Sequence, residues 1–276
     1  AQGTYDFRVM RKKGYRYVDK TALLYPLVTR YGDAFYFISR PEHFGKTLML
    51  STLECLFRGE RELFKGLAID KMDYVWESYP ILHFNFSGFN VETLEAFERD
   101  FRNHVRKVLI EAGCKWDDAI FPHDNFARAI RSLRQGRGKR VVILIDDYDA
   151  PTNAALNDVA RAKTIRSELI NFCGEIKNNV GNIHFSMMTG ITRYVPDSIF
   201  STLNNLIDLT MDDRYATLLG YTDEELEANF SKTLHRHAEV MGLSYEDYRE
   251  QLRWWFNGYR FARWNTTKVY NPFAIG

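Results

Sequence analysis

Gly45-Lys46-Thr47 stands between the apolar run Ala34–Ser39 and a helical pattern from Lys46 to Phe57 that Gly59 stops. Strand, turn, Gly-Lys-Thr and helix, in that order, are the context in which a phosphate-binding loop works. Backbone N–H groups at a helix N-terminus point at an anion, and the helix dipole adds to them. In that role Gly45 lets the backbone approach closely, Lys46 neutralises the β- and γ-phosphates, and the Thr47 hydroxyl ligates Mg²⁺. The full pattern G-x-x-x-x-G-K-[ST] asks for glycine at position 40, where this chain has Arg40. The candidate nucleotide contacts are therefore Arg40, Pro41, Glu42, His43, Phe44, Gly45, Lys46 and Thr47, with Glu42 a carboxylate that would repel a triphosphate.

The second half of such a site is an aliphatic strand ending in an acid, and Val141-Val-Ile-Leu-Ile145-Asp146-Asp147 supplies one. Asp146 sits where an acid holds magnesium through water, and Asp147 where a base orients the attacking water. The same stretch, continuing Tyr148-Asp149-Ala150-Pro151, is also a good turn sequence in which two acids need only cap. Side chains alternate along a strand, so only one of the two is expected to face the metal. Thr189 and Thr192 follow the next strand, where a polar residue either senses the γ-phosphate or satisfies its own turn. Arg193 and Arg214 are candidates for charge stabilisation, in cis or from a neighbouring subunit, or are surface charges. Asp19 reads as a helix cap. The seven histidines show no metal-ligand spacing, so no zinc is expected.

These residues need a frame, and the hydrophobic pattern provides it. Strand-like runs at Ala34–Ser39, Ile81–Phe86, Val141–Ile145, Ile183–Met188 and Leu206–Met211 alternate with helical stretches. One of these carries Val91, Leu94, Phe97, Phe101, Val105, Val108 and Leu109 at spacings of three and four. The purely aliphatic Val141–Ile145 is the kind of strand expected when both sheet faces are covered. The pattern predicts an α/β fold with a mainly parallel sheet between helices. After Leu219 the strand signals stop. Thr222-Asp-Glu-Glu225 is a capping pattern that opens a helix towards Met241, and Ser244 opens another reaching Trp254-Trp255. Residues 1–218 are thus expected to form the core with an N-terminal extension, and 219–276 a helical lid with a tail that reads as if cut from something longer. The aromatic group Trp254, Trp255, Phe256, Tyr259, Phe261 and Trp264 is expected in the core of that lid rather than stacking bases.

Composition narrows the classes. At 45% hydrophobic and 26% charged, the chain is neither disordered nor collagen-like. A net charge of +1 gives no bulk argument for nucleic acid or membrane. No apolar run approaches the ~18 residues of a spanning helix. Three scattered cysteines fit free thiols in a reducing cytoplasm.

The chain resembles the AAA-ATPase-like family, in which a P-loop ATPase domain is often followed by a PD-(D/E)XK nuclease-like domain. The resemblance rests on Tyr17-Val-Asp-Lys-Thr21, on Arg40-Pro-Glu-His-Phe-Gly-Lys-Thr47 and on Leu144-Ile-Asp-Asp-Tyr-Asp149. Thr189-Gly-Ile-Thr192, Phe200-Ser-Thr-Leu-Asn-Asn205, Tyr215-Ala-Thr-Leu-Leu-Gly220 and Phe256-Asn-Gly-Tyr259 follow in order. It implies a P-loop NTPase of the ATP-hydrolysing branch, with ATP and Mg²⁺ bound and an inserted strand beside the one bearing Asp146. The catalytic residues would be Asp147, Lys46, Thr189 and Arg193, and the metal residues Thr47 and Asp146. Two departures point to slow turnover: Glu42 and His43 stand where the family has arginines, and Asp147 replaces a longer glutamate. The alternative is a degenerate nucleotide-binding or scaffold module. The expected partners are a nucleotide, a second copy or a protein, and a nuclease-like domain beyond Gly276; no acid pattern for cutting DNA is visible here.

Overall fold

The computed structural model describes residues 5–30, 35–192, 206–264 and 266–272. Five strands lie parallel: β1 Phe35–Ser39, β2 Ile81–Asn85, β3 Val141–Asp146, β4 Ile183–Gly190 and β5 Leu206–Asp208. Their spatial order is β2-β3-β4-β1-β5, so β4 is inserted between the strand that leads into Gly-Lys-Thr and the strand that carries Asp146. The two halves of the site thus start from non-adjacent strands whose C-terminal ends point the same way, leaving a crevice above β4.

Strand β3 shows why both faces must be covered. Val141, Ile143 and Ile145 enter one core, and Val142 and Leu144 enter the other. The first core is closed by α4 (Leu94–Glu111), α5 (Pro122–Arg137) and α7 (Val159–Asn178), through residues such as Phe101, Phe126 and Phe172. The second is closed by α1 (Phe7–Lys12), α2 (Thr21–Thr29) and α3 (Lys46–Phe57), through Phe7, Leu27, Leu50 and Leu53. A short α6 (Ala150–Ala154) follows the acidic turn. Several boundaries differ from the sequence expectation, two of them with a visible cause or consequence. Helix α4 begins after Thr93, whose hydroxyl accepts from the Ala96 amide at 3.1 Å, so Val91 precedes it. Strand β5 ends at Asp208 rather than Met211, although the Leu209 amide still donates to the Phe37 carbonyl at 2.8 Å.

Towards the C-terminus, α8 (Asp223–Met241) and α9 (Tyr245–Phe256) share a small apolar cluster of their own built on Leu226, Leu234, Leu252 and Tyr270. Thr222 and Glu225 form a reciprocal capping box at the start of α8, as the Thr-x-x-Glu spacing predicts. Glu225 also receives Lys20 Nζ at 2.6 Å, which ties the N-terminal segment to this helix. Among the described residues no helix is long and apolar enough to cross a membrane.

At the end of β4, a Cβ on Gly190 would lie 2.7 Å from Tyr148 Cε1. The Tyr148 ring is buried and packs edge-on against Phe37, so it has little room to swing away. Gly190→Ala should destabilise the fold by ~1–3 kcal/mol through overpacking, seen as a lower urea midpoint with an unchanged slope.

Candidate nucleotide-binding site

The loop leaves the sheet late. Beyond Ser39, the Arg40 amide still donates to the Gly190 carbonyl of β4 at 3.1 Å. Pro41 then fixes its own φ and holds the residue before it out of the helical region. The reversal is made at His43 (φ 64°) and Gly45 (φ 91°), both left-handed. Nothing crowds the missing Cβ of Gly45, so the conformation itself calls for glycine. Gly45 caps α3 without any side-chain hydrogen bond, which leaves the first turn's amide dipoles facing the crevice. Lys46 Nζ folds back on the carbonyls of Arg40 and Pro41, 3.1 Å from each, and lies 3.7 Å from Asp147 Oδ1.

Asp146, fully buried at the end of β3, joins three elements. Its Oδ2 accepts from the Thr47 hydroxyl of α3 at 2.6 Å and its Oδ1 from the Thr189 hydroxyl of β4 at 2.5 Å. The Thr189 oxygen accepts in turn from the Asp147 amide at 3.1 Å. Strand alternation does not set where the Asp147 side chain points. Strand β3 ends at Asp146, and Asp147 adopts φ 48°, so alternation no longer governs its side chain. Both acids reach the loop, Asp146 at Thr47 and Asp147 at Lys46. Burial, followed by the repulsion of Asp146, pushes the Asp147 carboxyl up to about 6, and Asp149 and Glu42 add to the rise while Lys46 opposes it. Its Oδ1 is buried and accepts no hydrogen bond.

Arg40 requires a correction. Its side chain does not face a phosphate: the guanidinium is 1% exposed and donates to the carbonyls of Ser39 and Thr210 at 2.8 Å and of Tyr215 at 3.4 Å. Burial lowers its pKa to about 9, and the carbonyl acceptors and Asp208 keep it charged at neutral pH. Phe44 is buried too, edge-on to Tyr259 and Phe261 at 4.8 and 5.4 Å. Glu42 and His43 are exposed. Arg214 pairs with Asp212 at 2.6 Å, and Arg193 lies outside the described residues, as does the Phe200–Asn205 motif.

The aromatic group is not the core of the helical hairpin. Trp254, Trp255 and Trp264 are exposed (Trp254 at 83%), and of the six only Phe256 packs against the hairpin cluster. Tyr259 and Phe261 serve the phosphate loop instead, a contact with no local sequence signal. Also unforeseen is Asp149, buried, which accepts from the amides of Ile191 and Thr192 and from the Thr192 hydroxyl at 2.7 Å. Thr192 thus satisfies this turn. Asp19 acts as a cap from two residues before the start of α2, accepting from the Thr21 amide at 2.9 Å and also from the Ala68 amide. Among the described residues no three His, Cys, Asp or Glu groups are gathered as a metal cage. A magnesium held by one hydroxyl, one acid and phosphate oxygens needs none.

A family model described as Predicted AAA-ATPase matches residues 1–200. The chain belongs to the AAA-ATPase-like family. The loop 40–47 and the acidic end of β3 both lie within the matched residues. An uncharacterized protein from the vnfD 5′ region of Azotobacter chroococcum mcd 1 is 35% identical over 265 residues. The match takes in 95% of this chain and 48% of that protein, so the chain spans about half the length of the curated relative it matches. Among solved structures, Cdc6p from Pyrobaculum aerophilum gives a TM-score of 0.38 at 13% identity, covering 83% of this chain and 50% of that one. The Aeropyrum pernix ORC2 protein, in ADPNP–ADP complexes, gives 0.38 at 14%, covering 90% and 68%.

The raised Asp147 carboxyl makes stability depend on pH in this ATPase-like domain. With a folded pKa near 6 and an ordinary unfolded one, the folded state holds the extra proton in between, so stability is lost as pH rises from about 4 through 6. Asp147→Asn should therefore stabilise the nucleotide-free protein at pH 7.5 and gain less at pH 5, measured by urea unfolding at the two pH values.

Proposed function

We propose that this domain binds ATP in the loop 40–47 and cleaves its β–γ bond with magnesium, using the reaction to switch conformation or to gate an attached effector. The observation that carries this reading is the convergence of the Thr47 and Thr189 hydroxyls on buried Asp146 while Lys46 faces Asp147. Lys46 rests on two loop carbonyls, and a triphosphate would offer it stronger, charged acceptors. A hydroxyl and a carboxylate 2.6 Å apart suit an octahedral cation that keeps waters: Thr47 would ligate magnesium directly and Asp146 would hold it through water. Bound there, the ion would supply Lewis-acid neutralisation of the phosphate charge.

Asp147 is the base in this reading. Its Oδ1 has no donor, so a lone pair is free to accept the proton of the attacking water. A carboxyl near 6 is ionised at neutral pH yet more basic than an ordinary aspartate. Thr189 fixes Asp146 and so spaces the two acids. Arg193 and Arg214 are assigned to charge stabilisation, in cis or across a homo-oligomer. Residues 219–276 are assigned as the lid, since Tyr259 and Phe261 already touch the loop at Phe44. A second reading, a nucleotide-binding module without turnover that serves a protein partner, is favoured by Glu42, whose charge adds to the acidic pair.

Lys46→Ala should weaken ATP by about tenfold to a hundredfold, the scale of one charge-assisted contact, in a calorimetric titration of folded protein. The hydrolytic half has its own signature. Because the base works deprotonated, kcat/KM should rise with pH through about 6 and then level off. Asp147→Asn should lower phosphate release by ~10²-fold while ATP still binds. ATP binding without phosphate release, in both the native chain and Asp147→Glu, would leave the binding module as the function.

A further inference from the structure

A phosphate loop ordinarily begins with glycine, whose backbone freedom makes the tight turn. Here that position holds Arg40 followed by Pro41, which fixes its own φ and restricts Arg40 before it. The guanidinium is buried and donates to carbonyls on both sides of the loop's root: its own neighbour Ser39, then Thr210 and Tyr215 beyond β5. The Phe261 ring covers it, with the guanidinium carbon 4.0 Å from the ring centroid. The same ring touches Phe44, inside the loop. The Asn271 side chain, further along the C-terminal segment, donates to the Glu42 carbonyl at 3.4 Å. A buried guanidinium that gives up these acceptors loses far more than an exposed one, so the arrangement is stiff. The backbone carbonyls of Arg40, whose side chain the clamp fixes, and of Pro41 next to it are the two that receive Lys46 Nζ.

We propose that Arg40 is a positioning residue for nucleotide binding: clamped between the Thr210 and Tyr215 carbonyls and the Phe261 ring, it sets the loop carbonyls and thereby the reach of Lys46. A fixed side chain does here what glycine's backbone freedom does elsewhere. The C-terminal segment that carries Phe261 then governs nucleotide affinity from outside the loop. This rests on the reading that Lys46 meets nucleotide phosphates; Arg40 itself touches none.

The test uses the full chain, ATP as the probe, and amide hydrogen exchange of the nucleotide-free protein. Arg40→Met should weaken ATP by about tenfold or more and speed exchange at the amides of residues 42–46, while those of β3 and β4 keep their protection. A merely structural role would instead loosen the strands or leave affinity alone. Phe261→Leu should give a smaller loss of the same kind, and the double variant should be no weaker than Arg40→Met, because both act through one clamp. Folded Arg40→Met with unchanged ATP affinity, beside Lys46→Ala that loses ATP, overturns the proposal and leaves the nucleotide reading standing. Lys46→Ala that keeps full affinity overturns the nucleotide reading itself, and this proposal with it. Should Arg40→Met fail to fold, Phe261→Leu decides, since it leaves all three carbonyl bonds in place: a loss of ATP with faster loop exchange supports the clamp, and no change overturns it.

Discussion

Asp146 has no contact with solvent, and each of its oxygens accepts a hydroxyl from a different element, Thr47 at the start of α3 and Thr189 near the end of β4. A carboxylate this deep is tolerable only when its lone pairs are satisfied. That requirement fixes how three elements meet. The helix that begins at Lys46 must dock with Thr47 towards β3, and β4 must lie between β1 and β3 so that Thr189 reaches across. The crevice follows from this geometry, since the ends of two parallel strands and one helix N-terminus are drawn to one buried carboxylate.

Around that point the charges are graded. Asp146 accepts a hydroxyl hydrogen bond at each of its oxygens. Asp147, one residue later, has its backbone amide on Thr189, while its Oδ1 accepts no hydrogen bond and lies 3.7 Å from Lys46 Nζ, and it feels Asp146, Asp149 and Glu42 against Lys46. Adjacent carboxylates in unlike surroundings differ in proton affinity, which is the difference the proposed roles of metal holder and proton acceptor draw on. The left-handed conformation of Asp147 is what brings both to the same loop, and Asp is among the residues that tolerate it best. Asp149 completes the turn by gripping the amides of residues 191 and 192, so the exit of β4 is held by the acidic motif itself.

The loop is gripped from its other side as well. Arg40 and Phe44 both point into protein rather than towards the crevice, and both meet Phe261. The C-terminal segment is in turn anchored by Tyr270, whose hydroxyl donates to Asp223 at 2.8 Å and whose backbone pairs with Tyr221. A path of contacts therefore runs from the phosphate loop to the first turn of α8, and Lys20 joins the N-terminal segment to that turn through Glu225. This gives physical content to the motifs around Tyr17–Thr21 and Phe256–Tyr259, which carry no evident chemistry but lock the edges of the site.

Much of this was legible along the chain because the signals were local. Gly45 before Lys46 and Thr47, the aliphatic run into Asp146, and the Thr222–Glu225 box each depend on residues within a few positions, and each formed as its spacing predicts. Helices α5 and α7 stand out less from the strand and helix alternation, although Pro122 at the first turn and Gly138 at the exit of α5 are start and stop signals. What only the tertiary structure decided is where side chains point when their partners are distant. Arg40 looks like a phosphate ligand until carbonyls 170 and 175 residues away claim it, and Tyr259 and Phe261 look like hairpin core until Phe44 meets them. Asp147 looks like a strand residue until a left-handed turn ends the alternation. Periodicity and capping are set by short-range sterics and hydrogen bonds, whereas burying a cation or an aromatic ring depends on acceptors and surfaces that only the folded chain brings together.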